Sequence, residues 1–128
     1  RISCALFRNA HRKTLDMMQL HTGERLRIYT GEQAKLAHRP LYEAIVHEAM
    51  QQCIAGATVF KGVLSYGHDH KLHTAKLIEL GVNLPVVVEL VDTPEKIGSF
   101  FVLLQRLIKD SGGRVMVTRE EVDVAFIE

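Results

Sequence analysis

Residues 62–92 are GVLSYGHDHKLHTAKLIELGVNLPVVVELVD. A β-patterned run closes near Tyr66 and another extends from Leu84 to Val91. Between them lies a polar insert that carries His68, His70 and His73. Connections inside a compact domain are usually about 4–6 residues long. The insert over 67–83 far exceeds what joining two strands requires, so it is the first place to look for function.

The run from Thr58 to Tyr66 is a strand, and the Val- and Leu-rich run 84–91 is the next one. Upstream, ERLRIYT (24–30) alternates, with Leu26 and Ile28 on one side and Arg25, Arg27 and Tyr29 on the other. That period is a half-buried strand. Pro40 suits the first turn of a helix. Tyr42, Ile45, Val46, Ala49, Met50 and Cys53 then recur at helical spacing, and Gly56 closes the helix. Downstream, Thr93 is placed to cap a helix with Pro94 just inside it. Ile97, Phe100, Phe101, Leu104, Leu107 and Ile108 form its apolar stripe, which ends at Ser111-Gly112-Gly113. Residues 114–118 and 121–127 read as two short strands about a turn at Arg119-Glu120.

The order β-α-β-loop-β-α-β-β gives an α+β class: a ferredoxin-like split βαβ sandwich. Its antiparallel sheet has both helices on one face and a long loop between the second and third strands. Two helices cover only that face. The other is expected to carry Val59, Val63, Val87 and Val91 among Lys61 and Glu89, and a half-apolar face is costly to leave in water. Burial against copies of the same chain resolves this, so a homo-oligomer is expected.

Composition narrows the classes further. A chain of 128 residues is one domain by length. Hydrophobic residues at 47% and charged residues at 24% suit a soluble globular protein. A net charge of +1 demands neither a nucleic acid nor an anionic membrane surface. No apolar run reaches the ~20 residues a bilayer-spanning helix needs. Cys4 and Cys53 form no metal or redox motif; Cys53 reads as a buried thiol on the first helix, and a cytoplasmic location is expected. Residues 1–23 begin at Arg1, lean basic and lack a strand period. They are set apart as an N-terminal extension: a tag, a start placed upstream of Met17 or Met18, or a targeting segment. The folded domain is expected over 24–128.

The segments GERLRIYTGE, RPLYEAIVHEAMQQCIAGATVFKGVLSYG and HTAKLIELGVNLPVVVELVDTPEKI, in this order and spacing, resemble the uncharacterised conserved PII-like family across 24–127. That family is related in fold to the nitrogen-regulatory PII proteins. The resemblance implies a trimer, a nucleotide or other small anionic ligand in the clefts between subunits, and a long loop that contacts a partner, here a membrane channel or transporter. PII proteins hold phosphates with a glycine-rich, lysine-bearing turn after the third strand. This chain has VDTPEK (91–96) there: Asp92 and Glu95 oppose phosphate, whereas Lys96 and the helix N-terminus favour it. In the turn where PII proteins offer basic residues, Arg119 is the comparable group, followed by Glu120 and Glu121.

The candidate ligand-binding residues are Lys61, Gly62, Ser65, Tyr66, Gly67, His73, Thr74, Lys76, Thr93, Lys96 and Arg119. Gly62 and Gly67 allow close backbone approach. Lys61, Lys71 and Lys76 offer charge, and Tyr66 a ring to stack or pack. His73 and Thr74 belong to the HTA step of the resemblance. His68 and His70, with Asp69, have ligand chemistry for a divalent metal. His21, His38 and His47 read as surface residues. No nucleophile elbow, HExxH or P-loop is present, and Glu89 and Asp92 fall on opposite faces of their strand, against shared acid–base work. The chain therefore reads as a non-enzyme. Three roles remain: a PII-like sensor binding a small anion, a metal-binding trimer resembling cation-tolerance proteins, and an adaptor that docks without a ligand.

Overall fold

The computed structural model describes residues 19–66, 73–74 and 84–128. The elements in order are β1 (His21–Gly31), β2 (Lys35–Leu36), β3 (Arg39–Pro40), α1 (Leu41–Gln51), β4 (Gly56–Lys61), β5 (Leu64–Ser65), β6 (His73–Thr74), β7 (Pro85–Asp92), α2 (Pro94–Ser111) and β8 (Met116–Val124). The main sheet has the order β4-β7-β1-β8, with every neighbouring pair antiparallel. With one helix after β1 and one after β7, this is the ferredoxin-like arrangement expected from the sequence. β2–β3 and β5–β6 form two small separate ladders.

The core lies between the sheet and the helices. Leu26 and Ile28 from β1 and Val86, Val88 and Leu90 from β7 meet Leu41, Ile45 and Ala49 of α1 and Ile97, Phe100 and Leu104 of α2. Strict alternation along β7 explains the assignment: Val86, Val88, Leu90 and Asp92 are buried, and the residues between them are half-buried. The ends of α2 follow its sequence signals. The Thr93 side chain accepts from the Lys96 N–H at 3.3 Å, Pro94 opens the helix, and Gly112 closes it at φ 71 in the left-handed region.

Several expectations need correction. β8 is one continuous strand and does not turn at Arg119-Glu120; both residues pair with β1, opposite Leu26 and Arg25. A full-length partner strand outweighs the local polar signal. The run 58–66 divides: β4 ends at Lys61, and Leu64–Ser65 pairs instead with His73–Thr74. β1 starts at His21, upstream of the strand expected from Glu24. α1 stops at Gln51, so Cys53 lies in the turn beyond it at φ 59, and Met50 is 60% exposed rather than buried.

The face of β4 also differs from the sequence reading. Val59 pairs with Val88 and packs on the core, and Lys61 shares that face. Phe60, not Val59, stands on the open face, while Val63 lies beyond the strand. The open face carries three rows across the four strands: Gly56–Val91–Arg25–Glu120, Thr58–Glu89–Arg27–Thr118 and Phe60–Val87–Tyr29–Met116. The last row is apolar in all four strands, with Phe60 51% and Met116 61% exposed. Arg25 pairs with Glu120 and Glu89, and Arg27 with Glu89, across the other two rows. The hydrogen bond from Arg25 holds the Glu120 carboxyl below the usual carboxylate range, and Glu120 raises Arg25 in turn.

Candidate ligand site

The strands end at two opposite places, and the expected site residues divide between them. At one end, β4 finishes with Lys61, whose ammonium donates to the Glu32 carboxylate at 2.9 Å. That bond raises the lysine above its usual range. The Gly62 N–H donates to the Pro85 carbonyl at 2.8 Å. A side chain at Gly62 would begin 2.8 Å from Pro85 Cγ, so glycine is required by this close approach. Beyond it, Ser65 pairs with His73 and Leu64 with Thr74, and Tyr66 is exposed. The structure thus gathers Lys61, Gly62, Ser65 and the backbone of His73 and Thr74 at the root of the long connection. Gly67, Lys76 and the metal candidates His68 and His70 lie outside the described residues.

The other end is built on Asp92. Its side chain is 5% exposed. Its carboxylate accepts from the Ala55 N–H at 2.8 Å and from the Thr93 N–H at 2.6 Å. Lys96, one helical turn on, places its ammonium 3.5 Å from the same carboxylate and donates to the Cys53 carbonyl. One buried acid and one lysine therefore tie the turn after α1 to the first turn of α2. Arg119 approaches from β8, where its Nε donates to Glu24 at 2.7 Å and its Nη2 lies 3.5 Å from the Pro94 carbonyl. Thr93, Lys96 and Arg119 are thus brought around the start of α2. Lys61 pairs opposite Val86, and Gly56 opposite Val91. The five strand steps between them put the two groups about 17 Å apart within one chain.

Against this second group lies a cavity of about 390 Å³, lined by His21, Thr22, Gly23, Ala55, Gly56, Val91, Asp92, Thr93, Val124 and Phe126. It sits where β1 and β4 begin and β7 and β8 end. Of the residues expected from sequence, only Thr93 lines it among those described. His21, which reads as an ordinary surface residue in sequence, is part of its wall. Gly23 and Gly56 contribute differently: a Cβ on Gly23 would meet Val124 at 2.7 Å, whereas one on Gly56 would meet nothing within 4 Å. The clustering was not legible in sequence because it joins the extreme ends of four strands. Among the described residues, no group of three or more His, Cys, Asp or Glu could hold a metal ion, and no helix is long and apolar enough to cross a membrane.

Comparison with known proteins gives this arrangement its setting. Residues 23–124 match the model of the family described as DUF190, "Uncharacterized ACR". The chain belongs to this family. A UPF0166 protein of Aquifex aeolicus is 34% identical over 102 residues, covering 80% of this chain and 92% of the relative. A UPF0166 protein of Methanocaldococcus jannaschii is 36% identical over 87 residues, covering 68% and 80%. Among solved structures, CPII, a nitrogen regulatory PII-like protein from Thiomonas intermedia K12, bound to ADP, AMP and bicarbonate, superposes with a TM-score of 0.65 at 14% identity, covering 84% of this chain and 92% of that one. A PII-like signaling protein from Thermus thermophilus gives 0.56 at 16% identity, covering 84% and 94%. The DUF190 chain thus has the PII-like fold.

Proposed function

We propose that this DUF190 chain is a PII-like regulatory protein, a binding protein rather than an enzyme. In this reading it assembles as a homotrimer through the open face of its sheet. A small organic anion of the nucleotide class sits in the clefts between copies, and the segment 67–83 answers to that ligand by contacting a partner protein such as a membrane channel or transporter. The observation that carries the reading is the position of the cavity. It opens at the end of a sheet face whose opposite end bears the apolar row Phe60–Val87–Tyr29–Met116. A copy packed on that row removes apolar surface from water and becomes a neighbour of the cavity.

Two further points support it. Of the ligands bound by the Thiomonas protein, ADP and AMP are of this class, and bicarbonate is a much smaller anion. The ends of the long connection are also firmly held. Glu32 N–H donates to the Leu84 carbonyl at 2.8 Å, Gly62 N–H donates to Pro85, and Lys61 pairs with Glu32. These bonds fix the places where the connection leaves and rejoins the sheet. The candidate anion groups remain Lys61, Lys76, Lys96 and Arg119, with Gly62, Ser65, Tyr66, Gly67, His73, Thr74 and Thr93 around them. Calorimetric titration with AMP, ADP and bicarbonate, combined with hydrogen exchange over 67–83, tests the reading. Saturable binding with altered exchange in that segment is expected; no binding of any of the three, with exchange unchanged, would refute it.

A further inference from the structure

Charge is not spread evenly over this chain. β7 runs from Pro85, opposite Gly31, to Asp92, opposite Glu24, so the two ends of the sheet lie about 24 Å apart. The β2–β3 hairpin follows the end of β1 beside Pro85 and packs against α2. α2 starts beside Asp92 and runs back along the sheet, and β8 then begins opposite Tyr29. Lys35 and Arg39 of the hairpin, Arg106 and Lys109 of the second half of α2, and Arg114 beyond it therefore gather toward the Pro85 end, all of them exposed. Among the described residues none of these five pairs with an acid, whereas Arg25, Arg27, Lys61, Lys96 and Arg119 all do. Glu43 and Asp110 are the acids at this end that hold no described cation. At the Asp92 end the balance is reversed: Glu95, Glu121 and Asp123 are exposed, while Lys96 and Arg119 are already neutralised. A separation of about 24 Å is roughly three times the ~8 Å screening length at physiological salt, so the acidic end does not cancel the basic one. The net charge of +1 conceals this polarity.

The same end also exposes apolar side chains. Val63 is 73%, Leu64 60% and Tyr66 66% exposed where the chain leaves β4. An acidic protein would match the cations and leave these side chains in water. A bilayer surface takes both, because anionic headgroups meet lysine and arginine while aliphatic side chains and a tyrosine enter the boundary of the acyl region. We propose that the Pro85 end of the molecule is a docking face for an anionic phospholipid bilayer. Rotation about a cyclic axis keeps the polarity of every copy, so the basic ends of an assembly act together. Docking of this kind needs no bound ligand and goes beyond the regulatory reading. It brings to the membrane the end of the sheet from which the segment 67–83 departs and to which it returns.

The test is flotation of the full chain with vesicles of phosphatidylcholine alone and with vesicles of equal parts phosphatidylcholine and phosphatidylglycerol. It is repeated on Lys35→Gln with Arg39→Gln and on Lys109→Gln with Arg114→Gln, all four being exposed positions with no described ion pair. Binding is expected to the mixed vesicles, at least about tenfold above phosphatidylcholine alone, and to fall as salt rises. Each basic residue near an anionic surface contributes about fivefold in partitioning, so each double variant should bind about 20-fold more weakly with its melting transition retained. No flotation with mixed vesicles, equal flotation with both kinds, or parental binding by both double variants overturns the docking face. Retention on immobilised polyglutamate without flotation on mixed vesicles overturns it too and assigns the cations to an acidic protein. No nucleotide is added, so any of these failures leaves the ligand reading standing, and a failure of AMP to bind leaves the docking face standing.

Discussion

Replacing Asp92 should damage this protein more than any other single polar change among the described residues. The carboxylate is buried, accepts from Ala55 N–H at 2.8 Å and Thr93 N–H at 2.6 Å, and neutralises Lys96 at 3.5 Å. Asp92→Ala strands two backbone donors in a part-buried place and leaves an ammonium without its counter-charge. A hydrogen bond to a charged group contributes about 1.5–3 kcal/mol, and an unmet buried donor costs about 1–3 kcal/mol, so the expected loss is about 3–4 kcal/mol. Asp92→Asn keeps one acceptor oxygen but turns an amide NH2 toward a donor, so roughly half that loss is expected. Urea denaturation at pH 7 and one fixed protein concentration measures both variants, so that any contribution from assembly is the same for each. A loss in Asp92→Ala below about 1 kcal/mol, the size of one ordinary neutral hydrogen bond, would refute the claim that this acid ties the two turns together.

Three other outcomes follow from the same geometry. Gly62→Ala places a methyl 2.8 Å from Pro85 Cγ and should cost about 1–3 kcal/mol in denaturation; adding Pro85→Ala removes the clashing atom and should recover part of the loss. Thr93→Ala deletes the cap on the Lys96 N–H and should cost about 1 kcal/mol, whereas Thr93→Ser should retain most of the stability. Arg25 holds Glu120 below its usual range. The pair therefore contributes stability above the unfolded carboxylate pKa and loses it as pH falls through the lowered folded value. Because the pair is exposed the effect is small and screened by salt. The melting difference between the parent and Glu120→Gln should shrink on acidification at low salt; a difference that grows toward acid pH would contradict the pairing.

The parts of the fold that were legible in sequence are those set by local periodicity and end signals. The Thr93-Pro94 start and Gly112 end of α2, the alternation of β7 and the split βαβ order could all be read directly. What escaped were features settled by partners distant in the chain. Arg119 and Glu120 look like a turn until β1 is laid beside them, where Glu24 and Arg25 take their charges. Val59 and Phe60 exchange faces because β4 is registered by β7, and a shift of one residue flips every side chain. Cys53 follows the helical stripe in sequence, yet the helix has already closed at Gln51. The expected site residues divide for a similar reason. Lys61 and Thr93 both flank strand ends, but an antiparallel pair puts those ends at opposite edges of the sheet. His21, Gly56, Val91 and Phe126 converge on the cavity only through tertiary structure.

The proposed function requires copies of this chain to close on the open sheet face and hold a ligand between them. Native mass spectrometry of the protein as purified, alongside Phe60→Asp with Met116→Asp, tests it most directly. A three-copy assembly that accepts AMP is expected for the parent, and monomers for the double variant. A folded monomer of the parent at micromolar concentration, with or without AMP, would contradict it.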